Sequence, residues 1–120
     1  MIAPHVKPFW FDLENNDFDG KLDIIYNQMV LHHVNNVEII LKKFHSLLNQ
    51  GGLLAISDLY PEDGSFHGPD VKVHFGIDPV VLIESLKIKG FNHAEYKTCF
   101  VIKRPTGLEY PVFLITALKK

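Results

Sequence analysis

The chain has 120 residues, the size of one small domain, and 47% of them are hydrophobic, which excludes an intrinsically disordered chain. Twelve Lys and Arg stand against fourteen Asp and Glu, a net charge of −2 without any basic run, which argues against a nucleic-acid partner. The single cysteine, Cys99, excludes an intramolecular disulfide and fits a reducing, cytoplasmic setting; the opening MIAPHVKPFW lacks signal-peptide architecture, and no apolar run nears the ~18–20 residues that span a bilayer.

In chain order, VKPFWF (Val6 to Phe11) predicts a short strand in spite of Pro8, followed by the polar, turn-rich DLENNDFDGK. LDIIYN (Leu22 to Asn27) is a compact apolar run, expected as a strand buried on both faces of a parallel sheet. From Asn35 to Asn49, the residues Val37, Ile40, Leu41, Phe44, Leu47 and Leu48 recur at helical spacing and form one apolar stripe. Asn35 is the expected cap, with Glu38 three residues on completing a capping box. Gly51 stands where a left-handed helix end is expected. LLAISD (Leu53 to Asp58) predicts a second buried strand.

Tyr60 to Gly76 carries Pro, Gly and charge without periodicity and reads as a long loop; loops of this length in compact domains tend to be functional. A second helix opens on Asp78 as cap and Pro79 in the first position, buries Leu82, Ile83 and Leu86, and ends at Gly90. HAEYKTCFVIKR and EYPVFLITALKK are β-rich runs joined around Pro105 and Gly107, a hairpin signal, with Pro111 near the start of the last strand. No repeat or linker divides residues 1–120. The order predicts an α/β fold with a mixed sheet that closes on an antiparallel hairpin.

The adjacent histidines His32 and His33 raise the question of a metal site. On regular backbone neighbouring side chains point apart, a zinc site wants further ligands at set spacing, and no HxxxH or HExxH pattern is present, so no metal is expected. The plain alternative is one histidine serving backbone groups at the helix entry and the other in solvent. Asp58 and Tyr60 end a buried strand, and either substrate contact or a strand-end turn would account for them. Cys99 is expected in the core, and Lys42, Lys43, Lys119 and Lys120 in solvent.

Taken together, WFDLEN, LDII, LHHV, LLNQGG, SDLYPEDGSFH and HFGIDPVVLIESLKIKGF, followed by two closing strands, resemble the second half of a class I S-adenosylmethionine-dependent methyltransferase. The resemblance implies a truncated Rossmann-like methyltransferase fold with helices on the sheet faces. It implies S-adenosylmethionine as cofactor and a small molecule as methyl acceptor. In it Asp12 accepts from the adenine amino group and the Leu13 backbone completes that recognition. Asn27, Gln28, Met29 and His32 flank the methionine end, His33 is a candidate general base, and Asp58, Tyr60 and His67 face the substrate, with EDGSFH as a lid.

The departures matter too. The family's glycine-rich turn and the ribose-holding acid after its second strand are absent, so the chain reads as a C-terminal portion, a single partial domain lacking about two βα units of ~30 residues each. Weak or absent cofactor binding is expected from such a half-site. LDIIYN would lose its neighbour and become an apolar edge, so either the N-terminal segment folds into the vacant place beside it or two chains pair through it; of these a homodimer is expected, with Phe9, Trp10 and Phe11 at or near the interface. The alternatives are a non-catalytic dimerising module, or a subunit that completes an enzyme with a separate N-terminal chain.

Overall fold

The computed structural model describes residues 5–6, 11–68 and 75–120. The strand expected over Val6 to Phe11 falls largely outside them, as do Phe9 and Trp10; Phe11 itself is exposed. The element order is β1 (Leu22–Gln28), a 3-10 turn (Leu31–His33), α1 (Val37–Leu47), β2 (Leu48–Leu59), α2 (Pro79–Ile88), β3 (Phe91–Lys103) and β4 (Glu109–Lys119).

The four strands form one mixed sheet in the order β1-β2-β4-β3. β1 and β2 run parallel, while β4 pairs antiparallel with both β2 and β3. This is the expected α/β fold with its closing hairpin. Both helices lie on one face. Ile40, Leu41 and Phe44 of α1 and Leu82, Ile83 and Leu86 of α2 share a buried cluster with Leu54 and Ile56 of β2 and Phe113, Ile115 and Ala117 of β4. Glu38 of α1 accepts from the Ser85 hydroxyl at 2.7 Å and pairs with Lys89, tying the helices side by side. Strand alternation sends Ile24, Tyr26, Leu53, Ala55, Leu114 and Thr116 to the opposite face.

Helix α2 follows the sequence closely. Asp78 accepts from Val80 N, Pro79 fills the first turn, and Gly90 follows the end with φ of +97°. Gly90 is required twice over: its φ is one that side-chain-bearing residues avoid, and a Cβ there would lie 2.7 Å from the His45 Nε2.

Helix α1 differs at both ends. Its cap is Asn36, whose side chain accepts from Ile39 N at 3.2 Å, and Glu38 is spent on α2 and does not complete a capping box with Asn35. Its last residue is Leu47, and Leu48 is already extended with ψ of 140°. Gly51 has φ of +80° but lies in an irregular stretch of β2, where the register to β1 jumps between Leu22 and Ile24. The turn chemistry of Asn49-Gln50-Gly51-Gly52 therefore serves a strand irregularity, braced by Asn49 donating to Asp23 at 2.9 Å.

Three burial expectations are corrected. β1 is not buried on both faces: among the described residues it is an edge strand pairing only with β2, and Ile24 is 63% and Tyr26 56% exposed. Cys99 is exposed and not in the core, because it lies mid-way along β3, the last strand of the sheet order, where its neighbours from Tyr96 to Val101 are exposed as well. Lys43 is largely covered; its ammonium donates to the Leu13, Glu14 and Asn16 carbonyls and so fixes the turn after Asp12 onto α1.

Candidate functional site

The parallel strands β1 and β2 end side by side, with Gln28 opposite Ser57. Beyond such carboxyl ends lies the usual ligand crevice of open α/β sheets. The chain leaves β1 through Met29, whose φ of +58° is uncommon for a residue with a long side chain and whose N–H donates to the Ser57 carbonyl at 2.7 Å. This sharp exit leads into the 3-10 turn, closed by His33 N to Val30 O and Val34 N to Leu31 O. Leu31 and Val34 are buried and anchor the turn, which swings His32 inward to 1% exposure and leaves His33 exposed.

Asp58, fully buried at the end of β2, receives His32. Its Oδ2 accepts the His32 backbone N–H at 3.1 Å, and its Oδ1 lies 2.6 Å from the His32 Nδ1. The same Oδ1 accepts Leu59 N–H at 2.8 Å. Nδ1 of His32 therefore carries its proton toward Asp58, and the Nε2 lone pair faces the other way. There it meets His67, whose Nε2 lies 2.9 Å away. The His33 ring sits 4.1 Å from the His32 ring and 5.0 Å from that of His67. The expectation that adjacent histidines diverge is thus corrected: on the short 3-10 turn that follows the sharp exit at Met29, both rings reach one place.

Partial burial is the leading cause that lowers the His33 pKa from its usual value, with His32 and His67 adding to it and Asp58 opposing. Partial burial also leads for His67, with His32 and Arg104 lowering and Glu62 and Asp58 raising.

The loop that brings His67 is built by its own side chains. Glu62 accepts from Gly64 N and Phe66 N, Asp63 accepts from Ser65 N, and the Ser65 hydroxyl lies 2.6 Å from the Tyr110 hydroxyl. Phe66 packs edge-on against Tyr110 and carries the Arg104 guanidinium 4.3 Å above its ring. Glu62 belongs to the stretch expected as a lid, and its carboxylate shapes that loop from within. Arg104 and Tyr110 are supports that sequence reasoning missed, because nothing local ties them to this loop.

The remaining expected site residues scatter. Asn27 turns toward the helix-covered face, and both its amide Nδ2 and Oδ1 are buried without a partner among the described residues. Gln28 turns to the other face, where it accepts from the Tyr26 hydroxyl at 2.9 Å. Met29 packs on Leu59, Tyr110 and Val112. Tyr60 bonds Thr98 at 2.7 Å and stacks edge-on against Phe113, a contact with the hairpin and not with the histidines. Asp12 accepts from the Asn15 amide at 2.7 Å, and the Leu13 carbonyl is taken by Lys43.

Solved structures share this fold at low sequence identity. A protein from Listeria monocytogenes, described as a candidate S-adenosylmethionine-dependent methyltransferase, superposes with a TM-score of 0.68 at 16% identity, over 100% of this chain and 72% of its own. Phosphoethanolamine N-methyltransferase 2 of Haemonchus contortus, in complex with S-adenosyl-L-methionine, gives 0.67 at 11% identity, over 90% of this chain and 36% of its own. A methyltransferase of the same cofactor class from Methanosarcina mazei gives 0.62 at 16% identity, over 87% and 62%. The chain thus spans between about a third and three quarters of the length of these neighbours. No curated protein matches it. No described helix is long and apolar enough to cross a membrane. The description "methyltransferase domain" matches residues 3–96, and with a four-stranded sheet of the same architecture the chain belongs to that methyltransferase-domain family.

Proposed function

We propose that the chain carries the acceptor-side half of an S-adenosylmethionine-dependent methyltransferase acting on a small molecule. The observation that carries this reading is the buried Asp58–His32 pair with His33 and His67 beside it, at the joined carboxyl ends of two parallel strands in a methyltransferase-domain fold.

The residues fit the cofactor in part. The orphaned Asn27 amide is a buried donor and acceptor in want of a polar partner, as the methionine end of the cofactor would supply. Gln28, Met29 and His32 flank the same strand exit. Asp12 keeps a second carboxylate oxygen beyond the one given to Asn15, and with the Leu13 backbone it would hold the adenine. The glycine turn and ribose acid are not in these 120 residues, so binding by this chain alone is weak.

The bound cofactor supplies an activated methyl group, so the protein's task is alignment and proton removal. His33 is the general base: it is exposed toward the crevice, and its lowered pKa keeps its lone pair free near neutral pH. Asp58 holds the His32 ring in one orientation, and His67, on a lid loop, flanks the acceptor. Tyr60 lies at the outer margin of the acceptor site, anchored to Thr98.

A second reading is favoured by the exposed β1 edge. Ile24 and Tyr26 are open, and an apolar groove of Phe11, Leu13, Phe18, Leu22, Ile25 and Phe44 runs beside them. A second copy pairing along this edge would cover both, giving a homodimer, and a partner chain carrying the glycine turn would use the same surface. Cytoplasmic location fits the exposed free thiol of Cys99.

A thermal-shift titration with S-adenosylhomocysteine, paired with light scattering, separates the readings, since a ligand stabilises only what it binds. Stabilisation that is lost in Asn27→Leu supports the methyltransferase reading. A dimer that ignores the ligand at millimolar concentration supports the module. Micromolar binding by this chain alone would overturn the half-site reading.

A further inference from the structure

We infer that His32, His33 and His67 form a site for one divalent transition-metal ion of the zinc class, with Asp58 as the carboxylate behind His32. The inference does not depend on the methyl-transfer reading.

The geometry comes first. One nitrogen from each histidine lies within 4.8 Å of the others. Nitrogens bound to zinc at ~2.0–2.1 Å in a tetrahedron stand about 3.4 Å apart, so the cluster closes on an ion by side-chain movements of about an ångström. The side chains that must move are the ones able to do so: His33 is exposed, and His67 is half-buried on a loop. His32 is the fixed member, held by Asp58 at its backbone and its ring.

Tautomer and charge follow. Asp58 accepts from the Nδ1–H of His32 and so leaves the Nε2 lone pair facing His67, the arrangement in which a carboxylate orients a metal-ligating imidazole. Asp58 is fully buried, yet among the described residues no Lys or Arg forms an ion pair with it; its one such contact is His32 itself. A buried carboxylate without a cation is costly. A divalent ion one imidazole away supplies that positive charge.

Donor chemistry selects the ion. Three imidazole nitrogens suit zinc, cobalt, nickel or copper, whereas magnesium and calcium want oxygen. Three protein ligands with an exposed member leave a fourth position open to water or to an acceptor atom. Occupancy also changes the chemistry, because the His33 lone pair then goes to the ion and cannot take a proton. The base and the ligand are two exclusive states of one side chain.

The test uses the tag-free 120-residue chain, stripped with a chelator and titrated calorimetrically with Zn2+ alone. About one ion per chain is expected, released by chelator and competed by protons. His33→Ala and His67→Ala, both at side chains with solvent exposure, are each expected to weaken binding at least ~tenfold, with circular dichroism unchanged. Co2+ should give the visible bands of imidazole-bound cobalt in the wild type and lose them in either variant. Absence of Zn2+ binding, binding equally tight in the His33→Ala/His67→Ala double variant, or Mg2+ binding as tight as Zn2+ would each overturn the site. Titrating the chelator-stripped protein with S-adenosylhomocysteine reads the methyltransferase proposal separately, so either can fail while the other stands.

Discussion

The Asp58 carboxylate grips His32 twice, accepting its backbone N–H at 3.1 Å and its ring nitrogen at 2.6 Å, with both residues out of solvent. Removing the carboxylate strands three donors: His32 N, His32 Nδ1 and Leu59 N. A buried donor left without its acceptor costs ~1–3 kcal/mol, so Asp58→Ala should destabilise by a few kcal/mol, read as a lower urea midpoint. Asp58→Asn keeps one acceptor oxygen and should lose less. An Asp58→Ala midpoint equal to wild type would mean that the pair does not hold this end of the sheet.

Gly90 and His45 form a second testable contact. A Cβ on Gly90 would sit 2.7 Å from the His45 ring, which itself packs edge-on against Phe91 at 5.2 Å. Gly90→Ala should destabilise by ~1–3 kcal/mol through crowding and the unfavourable φ. In a His45→Ala background the crowding goes and the loss should shrink. Strict additivity within ~0.5 kcal/mol would show that the two side chains do not meet.

Stability should fall on the acid side of neutrality. His33, His45 and His67 all have lowered pKa values, His45 chiefly by burial, with Lys119 and Lys21 adding to it and the Gly90 backbone opposing. As pH falls past about 6.5, the unfolded chain takes up these protons before the folded one does, so their contribution is present above that value and lost below it. The effect is modest, because the groups are only partly shielded from water. Glu38, lowered chiefly by Lys89 and Ser85, acts in the same direction nearer pH ~4. Melting temperatures measured from pH 8 to 5 should decline, and His45→Gln should flatten the slope. A rise toward pH 5 would contradict the assignment.

The β1 edge predicts a selective effect on association. Ile24→Lys and Tyr26→Lys place charge on exposed positions of an edge strand, so they should shift a dimer toward monomer while leaving the melting temperature of dilute protein within a degree or so. Light scattering of the wild type decides first: a monodisperse monomer at high concentration removes the homodimer.

Much of the fold is legible locally. Asp78-Pro79 announces the start of α2 because a capping carboxylate followed by a residue without an N–H suits a helix entry and little else. The stripe from Ile40 to Leu47 marks the face that α1 buries, and Pro105 with Gly107 marks the hairpin. Legibility fails by one residue at the α1 cap, where Asn35 and Asn36 offer the same chemistry and only the chain's approach selects Asn36. It fails for Lys43, whose role depends on a turn some thirty residues earlier in the chain.

The sequence by itself determined the order of helices and strands from β1 onward, the family resemblance and the chemical types available: His32, His33 and His67, a strand-end aspartate and an asparagine at the exit of β1. Only the tertiary structure decided which of them meet. His67 reaches His32 across 35 residues, and Asp58 reaches His32 across 26, through a 3-10 turn, a strand end and a loop shaped by Glu62. Periodicity reports which face of an element is buried, but it carries no information on which distant elements end in the same place. That information resides in the pairing of β1 with β2 and in the path of the loop, and it turned two neighbouring histidines with no local partner into a buttressed cluster of three.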